Sequence, residues 1–293
     1  MPEADGAVDR SILTVLRAAT QRLSDAGIDS AALDARLLLV RGLGRTQAWF
    51  YANRDIQISP SELAAFDVLL TRREAREPVS HIVKMREFWS LPFRVSADVL
   101  TPRPDSETLI EAVLAKCPDR TRALRVLDLG TGSGCLLLTL LSEYPNATGT
   151  GVDTSAAALA VATKNGENIG LEARLQWVMG EWEVAFDTRF DVIISNPPYI
   201  ETTAIDELEP EVRDFEPRLA LDGGLDGLDA YRRILARMRG LMNPGANVFF
   251  EIGAGQEEAV MALAIQQGLQ LGEMRNDLSG TPRVLSFARS QET

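Results

Sequence analysis

The chain is poor in the side chains that hold metals and cross-links. It has one histidine, His81, and two cysteines, Cys117 and Cys135, in 293 residues. A single histidine and a lone pair of cysteines build neither a zinc site nor a disulfide framework, so no metal is expected and a reduced, cytoplasmic compartment is. No apolar run reaches the ~18 residues of a membrane-crossing helix. The opening MPEADGAVDR is acidic and polar, unlike the basic-then-apolar start of a secretory signal. Positive charge is scarce as well: 30 Lys and Arg stand against 42 Asp and Glu, a net charge of −12, and after Lys116 the next lysine is Lys164. Phosphate backbones are gripped by clustered Lys and Arg. Without such a block, direct nucleic-acid binding is not expected, and the substrate is sought among proteins and small molecules. What is present is ordinary for a globular protein, with 45% apolar and 25% charged residues. At roughly 150 residues per domain, the length allows two.

Residues 1–77 read as a small helical domain. Apolar residues recur at helical spacing in SILTVLRAATQRL, AALDARLLLVRGL and SELAAFDVLLTRREA. Ser59, followed by Pro60 and by Glu62 three residues on, is a helix-start signature. Residues 78–100 mix aromatic and β-branched residues around a break at Ser90-Leu91-Pro92, which predicts a β-hairpin linker. A helix is expected to start near Glu107, after Pro102, Pro104 and Asp105-Ser106. From about residue 122 strands and helices alternate to a final strand at RVLSFAR. That alternation predicts a doubly wound α/β sheet over residues 101–293, with chemistry at the carboxyl ends of its strands.

The first of those strands ends in Asp128-Leu129-Gly130-Thr131-Gly132-Ser133-Gly134. Glycines there permit a tight turn and a close backbone approach to a ligand. A dinucleotide fingerprint would put its third glycine where Cys135 stands, and a phosphate-binding Walker loop would need a Gly-Lys pair that is absent. The remaining pattern resembles the nucleoside-binding loop of class I methyltransferases that use S-adenosylmethionine. The next strand ends in Gly151-Val152-Asp153, where a carboxylate can accept both ribose hydroxyls or merely cap the following helix.

The strand FDVIIS runs into Asn196-Pro197-Pro198-Tyr199. Prolines end strands and asparagine forms turns, but together these residue types also suit one reaction. The nitrogen of a planar amide or ring amine is a poor nucleophile, because its lone pair is delocalised. Holding it for attack requires two acceptors for its N–H bonds. The Asn196 side-chain oxygen can be one and the Pro197 carbonyl the other. The prolines stiffen the backbone and offer no competing N–H. Tyr199 can stack on the flat group. None of the four is a strong general base, so rate would come from alignment, with the proton lost late. The tetrapeptide resembles the motif of methyltransferases acting on NH2 groups attached to planar carbon, including adenine N6, cytosine N4 and the glutamine side-chain amide.

Other segments narrow this choice. REFWSLPFRVSADVLTPRPDSETLIE, FEPRLALDGGLDGLDAYRRI, FFEIGAGQ and GTPRVLSF all resemble the peptide-chain release factor glutamine methyltransferases, and the likeness covers nearly the whole chain. It implies an S-adenosylmethionine-dependent enzyme that methylates glutamine N5 in the Gly-Gly-Gln tripeptide of class I release factors. The helical domain would dock the release factor, and the protein would be monomeric. Gly130, Thr131, Gly132, Ser133 and Gly134 would line the cofactor, Asp153 would bind its ribose and Trp182 would lie against its adenine. Asn196 would sit at the junction of cofactor and substrate, and with Pro197, Pro198 and Tyr199 would hold the glutamine. Where the family usually carries Asp-Trp, this chain has Glu181-Trp182. An adenine N6 methyltransferase would share only the glycine loop and the NPPY tetrapeptide and would need a basic surface. A non-catalytic cofactor-binding scaffold would show a broken motif, and both motifs are intact. His81 is expected at the surface or packed against the hairpin, Cys135 to pack the first helix, residues 209–217 to form a solvated loop that can flank the substrate entrance, and Pro102 and Arg103 to shape that entrance.

Overall fold

The computed structural model describes residues 9–53, 55–182 and 186–289. The chain divides into two units: Met1–Lys84 joined by Pro210–Phe215, and Met85–Glu209 with Glu216–Thr293.

The first unit is helical. It contains α1 (Ile12–Asp25), α2 (Ala31–Leu43), α3 (Gln47–Ala52), α4 (Pro60–Glu74) and α5 (Val79–Val83). The Ser59 signature forms a full capping box: the Ser59 hydroxyl accepts from the Glu62 N–H, and the Glu62 carboxylate accepts from the Ser59 N–H at 3.0 Å. Ile12, Leu23, Leu38, Leu39, Phe66 and Leu70 pack into its core. The predicted hairpin therefore does not begin at residue 78, because α5 comes first. His81 is buried within that helix. The ion pairs of this unit are partly internal. Arg73, 5% exposed, donates through Nε to Asp34 at 2.8 Å and through Nη1 to Glu211 at 2.9 Å. Glu211 lies on a short helix outside the contiguous helical region, and Arg76 grips its second oxygen at 2.7 Å.

The second unit opens with a hairpin, β1 (Arg86–Phe88) and β2 (Leu91–Phe93). The turn is Trp89-Ser90, both at positive φ (51° and 60°), one position earlier than the expected break. Such two-residue turns favour Asn-Gly, since a Cβ is crowded there. Here side-chain anchors hold the geometry: the Trp89 N–H donates to Glu107 and its indole N–H to Glu143, both at 2.8 Å. Then follow α6 (Glu107–Lys116), β3 (Arg125–Leu129), α7 (Cys135–Glu143), β4 (Thr148–Asp153), α8 (Ala156–Ile169), β5 (Leu175–Met179) and β6 (Phe190–Ser195). The short helix carrying Glu211, α9 (Pro210–Arg213), comes next but belongs to the first unit. The chain ends in α10 (Asp229–Leu241), β7 (Met242–Glu251), α11 (Glu257–Gln266), β8 (Leu269–Asn276) and β9 (Pro282–Arg289).

The seven-stranded sheet has the order β5-β4-β3-β6-β7-β9-β8. Its strands run parallel from β5 to β7, and β9 joins antiparallel between β7 and β8. Strand alternation sorts neighbouring residues into two cores. Leu127, Ile193, Phe250 and Leu285 face α10 and α11, while Val126, Ile194, Phe249 and Val284 face α6 and α7. Each fully buried Leu, Ile or Phe contributes about 1.5–3 kcal/mol relative to exposure. The doubly wound sheet matches expectation, but β8 was not foreseen. Its residues are mostly exposed, so the apolar alternation that marks a half-buried strand is missing. Among the described residues, no helix is long and apolar enough to cross a membrane, and no group of three or more metal-ligating side chains occurs.

Candidate active site

The strand order reverses between β3 and β6, and the loops leaving these two strands therefore diverge. Open α/β sheets place ligands in that crevice, beyond the carboxyl ends of the strands. A cavity of about 450 Å³ lies there, a size suited to a small molecule.

One wall is the glycine loop after β3. The N–H groups of Gly130 and Thr131 both donate to the Val152 carbonyl at 2.9 Å, which turns the chain back across the end of β4. Gly130 has φ +75°, and a Cβ there would stand 3.0 Å from the Trp182 ring. Any other residue would meet both backbone strain and that indole. Gly132 is also left-handed, at φ +54°, but an added Cβ would meet nothing within 4 Å. The loop thus leaves open space where a side chain would stand on Gly132, and the Gly132 N–H donates to Asp153 Oδ2 at 2.9 Å. Asp153 Oδ1 accepts from the Ser155 N–H at 2.9 Å, and Ser155 itself caps α8. Asp153 therefore ties the glycine loop to the next helix while still lining the cavity, and each oxygen keeps acceptor capacity for a hydroxyl.

Beneath the loop Asp128 is wholly buried and accepts from the Thr131 hydroxyl at 2.6 Å. Its Oδ1 has no hydrogen-bond partner among the described residues. Burial pushes this carboxyl up to about 7 against the Thr131 hydrogen bond, and the charge of Asp153 adds to the rise. Asn165 on α8, fully buried, fixes the far end of the loop. Its Nδ2 donates to the Ser133 carbonyl at 2.9 Å, and its Oδ1 accepts from the Arg94 N–H at 2.7 Å.

The opposite wall follows β6. The Ser195 hydroxyl donates to the Leu129 carbonyl at 2.6 Å and so locks the ends of β6 and β3 together. Asn196 and Pro198 line the cavity. Pro197 is buried. Tyr199 lines a separate groove of about 420 Å³. The structure thus brings Asn196 to the glycine loop but does not bring the Tyr199 ring to the same wall. The Tyr199 hydroxyl points to Glu251 Oε1 at 3.5 Å, and burial, with the Glu251 charge adding, pushes its titration up to about 12. Asn196 donates through Nδ2 to Ser106 Oγ at 3.4 Å. Glu251, at the carboxyl end of β7, is 1% exposed, and burial raises its carboxyl to about 7.

The entrance is charged. Glu216 is buried, accepts from Arg103 Nη2 at 2.7 Å and takes a longer bond from the Thr101 N–H at 3.4 Å. Within residues 209–217, Glu209, Arg213 and Asp214 are solvent-exposed as expected, while Glu211 is half-buried and Glu216 buried. Glu211 and Glu216 are both held by arginines, because a carboxylate removed from water must find donors. Pro102 and Arg103 line the cavity as expected. Glu181 lines it too, but its carboxylate pairs with Arg233 of α10.

Comparison with known proteins bears on this geometry. The family model of the PrmC N-terminal domain matches residues 14–83, and that of the methyltransferase small domain matches residues 104–211. A release factor glutamine methyltransferase of Caulobacter vibrioides is 44% identical over 269 residues, covering 92% of this chain and 93% of that protein. One of Cereibacter sphaeroides is 46% identical over 271 residues, covering 92% and 96%. The chain belongs to the release factor glutamine methyltransferase family. The family's fold extends further. The hMettl16 catalytic domain, solved in complex with a MAT2A 3'UTR hairpin, superposes with a TM-score of 0.59 at 15% identity, covering 76% of this chain and 83% of that one. At that identity the likeness concerns the fold alone.

In this family member, sequence reasoning located Gly130, Thr131, Gly132, Ser133, Asp153, Trp182 and Asn196, which line one cavity, whereas Gly134 turns toward Leu138, Trp177 and Ala162. It passed over Ser106, Asn165 and Glu251. Glu251 did leave a signal, as the one charged residue inside the apolar run VFFEIG. Ser106 and Asn165 left none, since each acts through a partner far along the chain.

Proposed function

We propose that this protein transfers a methyl group from S-adenosylmethionine to the side-chain nitrogen of the glutamine in the Gly-Gly-Gln tripeptide of a class I release factor. The observation that carries this reading is the meeting of Asn196 and the glycine loop on one cavity in a chain of this family. The residues fit the cofactor. Gly132 leaves room beside the Asp153 carboxylate for a ribose, and Trp182 offers a flat ring at the same wall. Gly130, Thr131 and Ser133 complete the cradle, and Gly134 turns the loop into α7. When bound, the cofactor supplies a methyl group on a positively charged sulfur. Asn196 Oδ1 and the Pro197 carbonyl receive the two N–H bonds of the glutamine amide and direct its lone pair into the cavity. Pro198 stiffens this turn, and Tyr199 braces it from the neighbouring groove, where its carbonyl accepts from Gln256 Nε2. As the nitrogen takes the methyl group the carbon–sulfur bond would break, leaving the sulfur neutral, and the nitrogen gives up one proton to solvent. The helical unit serves to dock the release factor.

The test uses the full chain, labelled S-adenosylmethionine and a release factor purified from cells lacking this activity. Label is expected on the tripeptide glutamine, resistant to nuclease and lost when that glutamine is replaced by alanine. Label that enters nucleic acid instead would refute the reading. The cofactor half has its own test. Gly132→Val places a β-branched residue at φ +54° and fills the open space in front of the loop. It is expected to weaken cofactor affinity at least tenfold, about 1.4 kcal/mol, in a calorimetric titration, and unchanged affinity in a folded variant would remove Gly132 from the site.

A further inference from the structure

Alignment by Asn196 works only if its amide faces the right way. Oδ1 accepts and Nδ2 donates, and an Nδ2 turned toward the substrate would set donor against donor. The shape of the side chain is the same either way, so the neighbours must choose. Ser106 Oγ, 3.4 Å from Nδ2, cannot decide alone, because a hydroxyl both donates and accepts. The deciding group must be one that accepts.

Glu251 is placed to do this. Its carboxyl is 1% exposed at the carboxyl end of β7, the strand next to β6. Ser195 pairs with Phe250 across these parallel strands, so Asn196 and Glu251 follow side by side at their carboxyl ends, with Ser106 held on Asn196. Its backbone is pinned, since the Tyr231 hydroxyl of α10 donates to its carbonyl at 2.8 Å. Oε1 takes only the long contact from Tyr199, and Oε2 has no hydrogen-bond partner among the described residues. A buried acceptor left unmade is costly, and hydrogen bonds of catalytic groups often tighten only when substrate is bound. The charged groups acting on the carboxyl are Arg283 of β9, which favours its ionised form, and Asp105, which opposes it. Ionised, both of its oxygens only accept; neutral, its carbonyl oxygen accepts while its hydroxyl can donate.

We propose that Glu251 is a positioning residue that holds the Asn196 amide by Nδ2, leaving Oδ1 to face the substrate nitrogen. The proposal rests on the function given above. Glu251 touches neither substrate nor cofactor in this role and acts through Asn196, with Ser106 as a go-between.

The test compares Glu251→Met, which keeps length and removes the acceptor, with Glu251→Gln, whose amide oxygen still accepts. Glu251→Met is expected to lower kcat on the release factor by about thirtyfold, the scale of a small misalignment, with KM and cofactor affinity nearly unchanged. Glu251→Gln is expected to recover most of that loss. A second readout needs no activity. The side-chain NH2 pair of Asn196, assigned in a 15N–1H spectrum by its disappearance in Asn196→Ser, is expected to move in Glu251→Met and to stay in place in the exposed control Glu258→Gln. If Glu251→Met does not fold, the same pair is followed with pH in the parent protein, where it should shift as the carboxyl titrates, and in Glu251→Gln, where it should not. An NH2 pair indifferent to Glu251 overturns the proposal, and so does an unchanged kcat in a folded Glu251→Met. A parent protein that methylates no release factor would refute the proposed function, while the NH2 pair would still decide the role of Glu251.

Discussion

Replacing Asn196 with alanine is expected to slow methyl transfer by at least ~100-fold in a single turnover, about 2.7 kcal/mol, while the protein still folds and binds cofactor. Two costs add. One substrate N–H loses its acceptor in a site shielded from water, about 1–3 kcal/mol. The nucleophile also loses alignment with the methyl group. Folding should survive, since the local structure rests on other bonds: the Ser195 hydroxyl to Leu129, and Gln256 Nε2 to the Tyr199 carbonyl at 2.9 Å. Asn196→Asp is expected to rescue little despite its matching size. Its carboxyl would adjoin the buried Glu251 carboxyl, and two such groups resist ionising together. The measurement is rapid-quench methyl transfer to a release factor at saturating cofactor. A rate for Asn196→Ala close to that of the parent would reduce Asn196 to a turn residue and end the alignment mechanism.

The second large effect is on stability. Arg73→Ala is expected to destabilise the helical unit by about 3–5 kcal/mol. Asp34 is 2% exposed and loses its guanidinium partner, keeping the Ser30 hydroxyl at 3.0 Å. Glu211 keeps Arg76 and loses its second clamp. Much of the cost is the buried charge left behind, so removing both partners should be far milder. Arg73→Met combined with Asp34→Leu is expected to unfold close to the parent. Urea titration followed by the fluorescence of Trp49, which packs in this unit, gives the comparison. A loss below about 1 kcal/mol for Arg73→Ala would place the pair among the weak surface bridges.

What the sequence determined by itself is what short stretches of chain encode. The capping box at Ser59 spans four residues, and the helix at Glu107 starts where its stop-and-start residues put it. The glycine loop, Asp153 and Asn196-Pro197-Pro198-Tyr199 could be assigned to strand ends because strand period and turn chemistry are local. Knowing that they end parallel strands is enough to put them at one edge of the sheet, where the cavity lies. Only the tertiary structure decided the rest. β8 exists because β9 pairs with it, not because its own residues alternate. α9 joins the helical unit through charges more than 130 residues away. The Tyr199 ring went to a neighbouring groove because Glu251 and an apolar core receive it there. The acceptor beside Asn196 is brought by β7, and Ser106 lies 90 residues from its partner. Such contacts depend on which strands lie side by side and in what register. Long-range pairing sets that, and no window of sequence carries it.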